Sequence, residues 1–140
     1  MGFMKFISTM YEYINERYTN DTIKIGDIYD EHEVYSYTQR IHHTSDDFYS
    51  GDLGERIERY KKYRVEEVNI SDIDIDEFTI YDEYVDEYVD MVVKHKSYPP
   101  VVLNSDYSII DGTHRLNALE VLGYKKVIAF VGIKKKKKQI

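Results

Sequence analysis

Residues 109 to 123 read Ile-Ile-Asp-Gly-Thr-His-Arg-Leu-Asn-Ala-Leu-Glu-Val-Leu-Gly. Two isoleucines run into an Asp-Gly turn, and Leu116, Leu119 and Leu122 follow at three-residue steps until Gly123. The spacing predicts a strand that ends at Asp111 and a helix that opens at once, with no linker between them. Gly123 supplies the left-handed stop.

The flanking segments suit a sheet. Pro99-Pro100 forbids a helix and forces extended chain. Residues 101–104 and 107–110 then read as a hairpin turning at Ser105-Asp106, and residues 126–133 as a further strand. Upstream, Phe78, Tyr81, Tyr84, Val85, Tyr88, Val89, Val92 and Val93 recur at helical spacing, with Asp82, Glu83, Asp86, Glu87 and Asp90 on the other face. Acids near its start and Lys94, His95 and Lys96 at its end suit the helix dipole, and the helix is expected to stop near Ser97. Val65, Val68, Ile70, Ile73 and Ile75 lie in a segment expected to form a strand and the loop after it.

The N-terminal part is patterned less evenly. Phe3, Phe6, Ile7, Met10, Tyr11, Ile14 and Tyr18 predict an amphipathic helix ended by Asn20-Asp21. Ile23, Ile25 and Ile28 suggest one short strand and Val34, Tyr35 and Tyr37 another. Residues 45–51 read as a polar turn, after which Asp52 caps a short helix through Tyr60. The expected fold is α/β (α+β in detail), a small mixed sheet with surrounding helices. Its divisions are a mostly helical N-terminal extension over residues 1–62, a core over 63–133 and a basic tail over 134–140.

At 140 residues the chain suits one domain. The net charge of −7 is carried by a body more acidic still, because five of the cations are Lys134 to Lys138. Such a surface makes a poor general nucleic-acid binder, so any DNA role must be local. The absence of cysteine excludes thiol catalysis and disulfides. No long apolar run and no signal-peptide layout is present, so a cytoplasmic protein is expected, without a membrane partner. The tail reads as a solubilising segment first and as a cationic tether for nucleic acid or an anionic surface second.

The helix start at Asp111-Gly112-Thr113-His114-Arg115 is the candidate site. A helix N-terminus gathers backbone amides and a positive dipole end, and an adjacent guanidinium and imidazole add phosphate-matching donors. A structural reading stands beside it, in which Asp111 caps the helix, Arg115 pairs with an acid and His114 lies on the surface. The acidic run Asp72-Ile73-Asp74-Ile75-Asp76-Glu77 lacks the glycine turn and terminal glutamate of a calcium loop. His42-His43 lacks the spacing of a zinc site. Tyr84 and Tyr88 read as core packing, with a base-stacking platform as the alternative.

The two prolines before a strand, the Asp-Gly-x-His-Arg helix start and the Leu-Gly end together resemble the ParB/sulfiredoxin-like superfamily over about residues 63–133. Its members include ParB N-terminal domains, sulfiredoxins and free-serine kinases, which hold nucleotide phosphates at the equivalent turn. The resemblance implies a nucleotide-binding protein, with ATP or another nucleotide and Mg²⁺ as cofactors. Phosphoryl transfer or nucleotide hydrolysis is the implied chemistry, as in an ATP-dependent kinase or nucleotide hydrolase. Asp111, His114, Asp76 and Glu77 are the implied catalytic residues, Gly112, Thr113 and Arg115 the phosphate-binding ones, and Asp111 and Asp74 the metal ligands.

The motif is most similar to the free-serine kinase form, differing at Thr113. Sulfiredoxins carry a catalytic cysteine at that position, so threonine there excludes sulfinic-acid reduction. ParB proteins carry a glutamate and two arginines in the equivalent motif. Tyr84 stands where sulfiredoxins have a nucleotide-contacting lysine. A non-catalytic ParB-like module binding a protein or DNA partner is the alternative, and a ParB-like nuclease the third reading. Compact domains of this kind are expected in bacteriophage or mobile elements. Alanine at His114 or Arg115 is expected to weaken nucleotide binding while the fold is kept.

Overall fold

The computed structural model describes residues 23–41, 50–75, 82–95 and 98–134. In chain order these form β1 (Ile28–Asp30), α1 (Glu31–Ile41), α2 (Ser50–Ile57), β2 (Lys62–Asn69), a single 3-10 turn (Ile70–Asp72), α3 (Asp82–His95), β3 (Val101–Leu103), β4 (Ile109–Asp111), α4 (Thr113–Val121) and β5 (Lys126–Gly132). The strands make one mixed sheet in the order β1-β2-β5-β3-β4. The architecture is α+β, as the sequence predicts.

β5 is the hinge of the topology. It runs antiparallel to β2 in unbroken register from Tyr63↔Gly132 to Asn69↔Lys126, and parallel to β3 from Val101↔Ala129 to Leu103↔Val131. A parallel neighbour needs a crossover, and the β4–α4 segment supplies it. The continuous apolar run Val127-Ile128-Ala129-Phe130-Val131 is that of a strand covered on both faces. Val127, Ala129 and Val131 pack with Leu116 and Leu119 of α4 and Val92 of α3. Phe130, from the other face, packs with Val34 and Tyr37 of α1 and Ile57 of α2. The sheet is therefore sandwiched between α1 and α2 on one side and α3 and α4 on the other.

The expected hairpin forms. β3 and β4 pair antiparallel, and the turn between them is closed by Asn104 N–H to Ser108 O (2.8 Å) and Tyr107 N–H to Asn104 O (2.9 Å). The Gly123 stop is also present, with φ 85°. Tyr124 N–H bonds to Leu119 O and Gly123 N–H to Glu120 O, both at 2.9 Å, the paired closure of a Schellman motif.

Three expectations change. Val34, Tyr35 and Tyr37 lie in helix α1, not in a strand. Glu33 N–H donates to Asp30 Oδ1 at 2.9 Å while Asp30 N–H donates to Glu33 Oε1 at 3.3 Å, a reciprocal cap that starts the helix and overrides the strand preference of valine and tyrosine. Asp52 does not precede its helix, because α2 already includes Ser50 and ends at Ile57. The strand expected within 65–75 begins earlier, at Lys62, and Ile70 and Ile73 are buried at the following turn, where Ile73 N–H bonds to Ile70 O. The helix expected over residues 3–18 lies outside the described residues.

Candidate functional site

The Asp-Gly turn is built from both sides. β4 delivers Asp111 to the sheet's end, and Gly112 turns the chain with φ 117° into α4. That conformation strongly favours glycine. A Cβ on Gly112 would also sit 2.6 Å from Val101 Cγ1, so the neighbouring strand fills the space a side chain would need. Gly112 at the N-cap position has no side chain to cap with, and the Leu116 amide reaches back to Gly112 O at 2.9 Å. The amides of Thr113, His114 and Arg115 precede it, in the positions where a helix has no carbonyl of its own to offer. Thr113 is half-buried, and its carbonyl receives the Asn117 amide at 2.9 Å.

His114 and Arg115 point inward, exposing 3% and 1% of their surfaces. Arg115 Nη2 donates to Asp111 Oδ2 and to the Pro100 carbonyl, each at 3.2 Å. Its guanidinium carbon lies 5.8 Å from the centroid of the Tyr88 ring, within reach of a cation–π contact. The His114 ring meets Tyr84 edge-on, with centroids 5.4 Å apart and planes at 83°. Thus α3 closes over the start of α4, and the tyrosines pack against His114 and Arg115. The N-cap position of α4 falls on Gly112 and not on Asp111, and His114 is not a surface residue.

Among solved structures the chain is similar to the pNOB8-like ParB N-domain. The match has 26% identity and a TM-score of 0.41 over 49% of this chain and 27% of that one. It is similar too to the C2221 form of a Pnob8-like ParB-N domain, with 20% identity and a TM-score of 0.43 over 49% of this chain and 29% of that one. The chain thus covers less than a third of those chains. The sequence matches no protein-family model and no curated protein.

The acids expected to complete the site are distributed otherwise. Asp111 is 8% exposed with one carboxylate oxygen held by Arg115. Asp74 is exposed and forms an isolated parallel bridge with Ser108, three residues before Asp111. Asp72 is exposed and receives the Asn69 amide at 3.4 Å. Asp76 and Glu77 lie outside the described residues. Among the described residues no group of three or more His, Cys, Asp or Glu side chains is placed to hold a metal ion. No helix among them is long and apolar enough to cross a membrane.

Two contributors were not legible in the motif. The Pro100 carbonyl anchors Arg115, and Tyr88 packs its ring against the same guanidinium. The only sequence signal for the first is the proline pair itself, which presents an extended backbone carbonyl beside the helix start.

Proposed function

We propose that this chain is a ParB-like nucleotide-binding module that takes the nucleotide's phosphates at the start of α4. The observation that carries the reading is the first turn of α4, opened by a left-handed glycine at the N-cap position directly after a strand end. Backbone amides and the helix dipole favour an anion there without any side-chain movement. Thr113 adds a hydroxyl at the first helical position. Arg115 and His114 act beneath this turn: one fixes the Asp111–Gly112 bend from below, and the other packs under Tyr84.

Binding is better supported than transfer. One oxygen of the Asp111 carboxylate is engaged by Arg115. Phosphoryl transfer at this turn, as the free-serine kinase form of the motif implies, would draw its base from Asp76 or Glu77.

The test is thermal stability with ATP, ADP, CTP and GTP, each with and without Mg²⁺, in the wild type and in Thr113→Glu. Binding to the folded state raises Tm, by about 2.7 kcal/mol of stabilisation at a hundredfold excess over Kd. Glutamate at the first helical turn suits the dipole but puts a carboxylate where a phosphate would sit. The variant should fold as well as the wild type and lose the shift. No shift with any nucleotide at millimolar concentration, or an equal shift in the variant, would overturn the assignment.

A further inference from the structure

β4 is an edge strand, three residues long, with β3 as its neighbour in the sheet. Their register slips by one residue. Leu103 pairs with Ile109 but Val102 with Asp111, so Ile110 is the extra residue of a bulge. A bulge interrupts the local ladder and re-aims the chain beyond it. Here the chain beyond it is Asp111, then Gly112 and the start of α4. The ladder therefore fixes the approach to the turn weakly.

A side chain from the other layer of the fold supplies a second hold. Carbonyls alternate in direction along a strand. The Ser108 carbonyl accepts the Asn104 N–H from the β3 side, so the next one, of Ile109, faces the outer edge. It accepts Arg56 Nη2 at 2.6 Å, a charge-assisted bond between residues 53 apart in sequence. The contact falls one residue after the isolated Asp74↔Ser108 bridge and two before Asp111. Arg56 lies in the last turn of α2, and its neighbour Ile57 shares a buried apolar cluster with Ile110. Tyr60, three residues past α2, accepts the Ser105 N–H at 3.1 Å in the hairpin turn. The end of α2 and the chain just after it thus grip the hairpin at its turn and just before its bulge.

We propose that Arg56 is a positioning residue of the phosphate turn. By fixing β4 at its bulge it sets where Asp111 and Gly112 leave the sheet, and hence where the first amides of α4 point. The proposal rests on the reading of the α4 start as the nucleotide site. Arg115 holds the bend through Asp111 from the α3–α4 side, and Arg56 holds the strand leading into it from the α1–α2 side. The turn is thereby fixed between the two helical layers. Arg56 acts through the Ile109 carbonyl and not on the ligand itself. Linkage makes the effect reciprocal: if holding β4 raises nucleotide affinity, bound nucleotide strengthens the hold by the same factor.

The experiment measures ATP and CTP affinity by calorimetry, well below Tm, together with amide hydrogen exchange of the nucleotide-free protein. It compares wild type with Arg56→Met, Arg56→Lys and Asp30→Ala. Arg56→Met should weaken binding by about tenfold, the scale of one charge-assisted hydrogen bond. Arg56→Lys keeps a cationic donor and should restore most of the affinity. Asp30→Ala removes a helix cap at the opposite edge of the sheet, so it should lower Tm and leave affinity unchanged. Without nucleotide, the Leu116 amide, bonded to Gly112 O, should exchange faster in Arg56→Met and not in Asp30→Ala. Full affinity in Arg56→Met, or an equal loss in Asp30→Ala, would overturn the proposal. Should the wild type bind neither nucleotide, the reading of the α4 site falls, and Leu116 exchange still decides: an unchanged rate in Arg56→Met overturns the positioning role, and a faster one upholds it.

Discussion

Arg115 and Asp111 form a buried ion pair across the strand-to-helix junction, with Nη2 and Oδ2 3.2 Å apart and side chains 1% and 7% exposed. The pair joins the last residue of β4 to the first turn of α4 and holds the Gly112 bend between them. Removing one partner of such a pair leaves a buried charge behind. Arg115→Met should therefore destabilise the protein by about 3–5 kcal/mol in urea unfolding. Asp111→Asn/Arg115→Met should recover much of that loss. Equal losses in the single and double variants would show that the pairing itself contributes little. This burial also corrects the expectation that Arg115 can be truncated without affecting the fold.

Gly112→Ala tests the turn. The substitution places a Cβ in a left-handed conformation and within 2.6 Å of Val101 Cγ1. Backbone strain of roughly 1–3 kcal/mol and an overpacking cost of similar size should combine to lower the denaturation midpoint strongly. Gly123→Ala, also at positive φ but with no atom within 4 Å of the added carbon, should cost less.

The Tyr60 ring lies over Gly132, where a Cβ would approach ring carbons to 2.5 Å, and the Tyr60 hydroxyl accepts the Ser105 N–H at 3.1 Å. Gly132→Ala should displace the ring and break its tie to the β3–β4 turn, at about 1–3 kcal/mol. In a Tyr60→Ala background the same substitution should cost much less, since neighbours that clash are non-additive. Additive effects in the double-mutant cycle would contradict the contact.

Asp30 gives a pH test. The Glu33 N–H bond holds its carboxyl below the usual value of 3.8. A depressed folded pKa contributes stability that is complete above the unfolded value and is lost as pH falls through the folded one. Asp30→Ala should thus lower Tm at pH 7, and the gap from wild type should narrow below about pH 4. A gap unchanged at pH 2–3 would show that the charge plays no part in the cap.

Much of the sheet and of α3 was legible because their patterns are local. The Pro99-Pro100 break, the hairpin turn at Ser105-Asp106 and the Gly123 stop each act within a few residues of themselves. Helix α1 was missed because Val34, Tyr35 and Tyr37 favour strands by residue type. The decisive signal was the Asp30-x-x-Glu33 cap, together with Val34, Tyr37 and Thr38 at helical spacing, all buried. The site was legible as a helix start but not as a packed junction. That Arg115 turns inward depends on α3 crossing α4, where Ala118, three residues on, allows Val85, Tyr88 and Met91 to approach. Only the tertiary pairing of two helices decides this, and Ala118 is its faint trace in the sequence.

The most direct test of a phosphate at the start of α4 is a titration of ¹⁵N-labelled protein with ATP and CTP, followed by amide chemical shifts. Amides that donate to an anion should move most, so the largest changes should fall on Thr113, His114 and Arg115 and be absent in Thr113→Glu. Changes confined to residues other than these, or no changes at saturating nucleotide, would contradict the assignment.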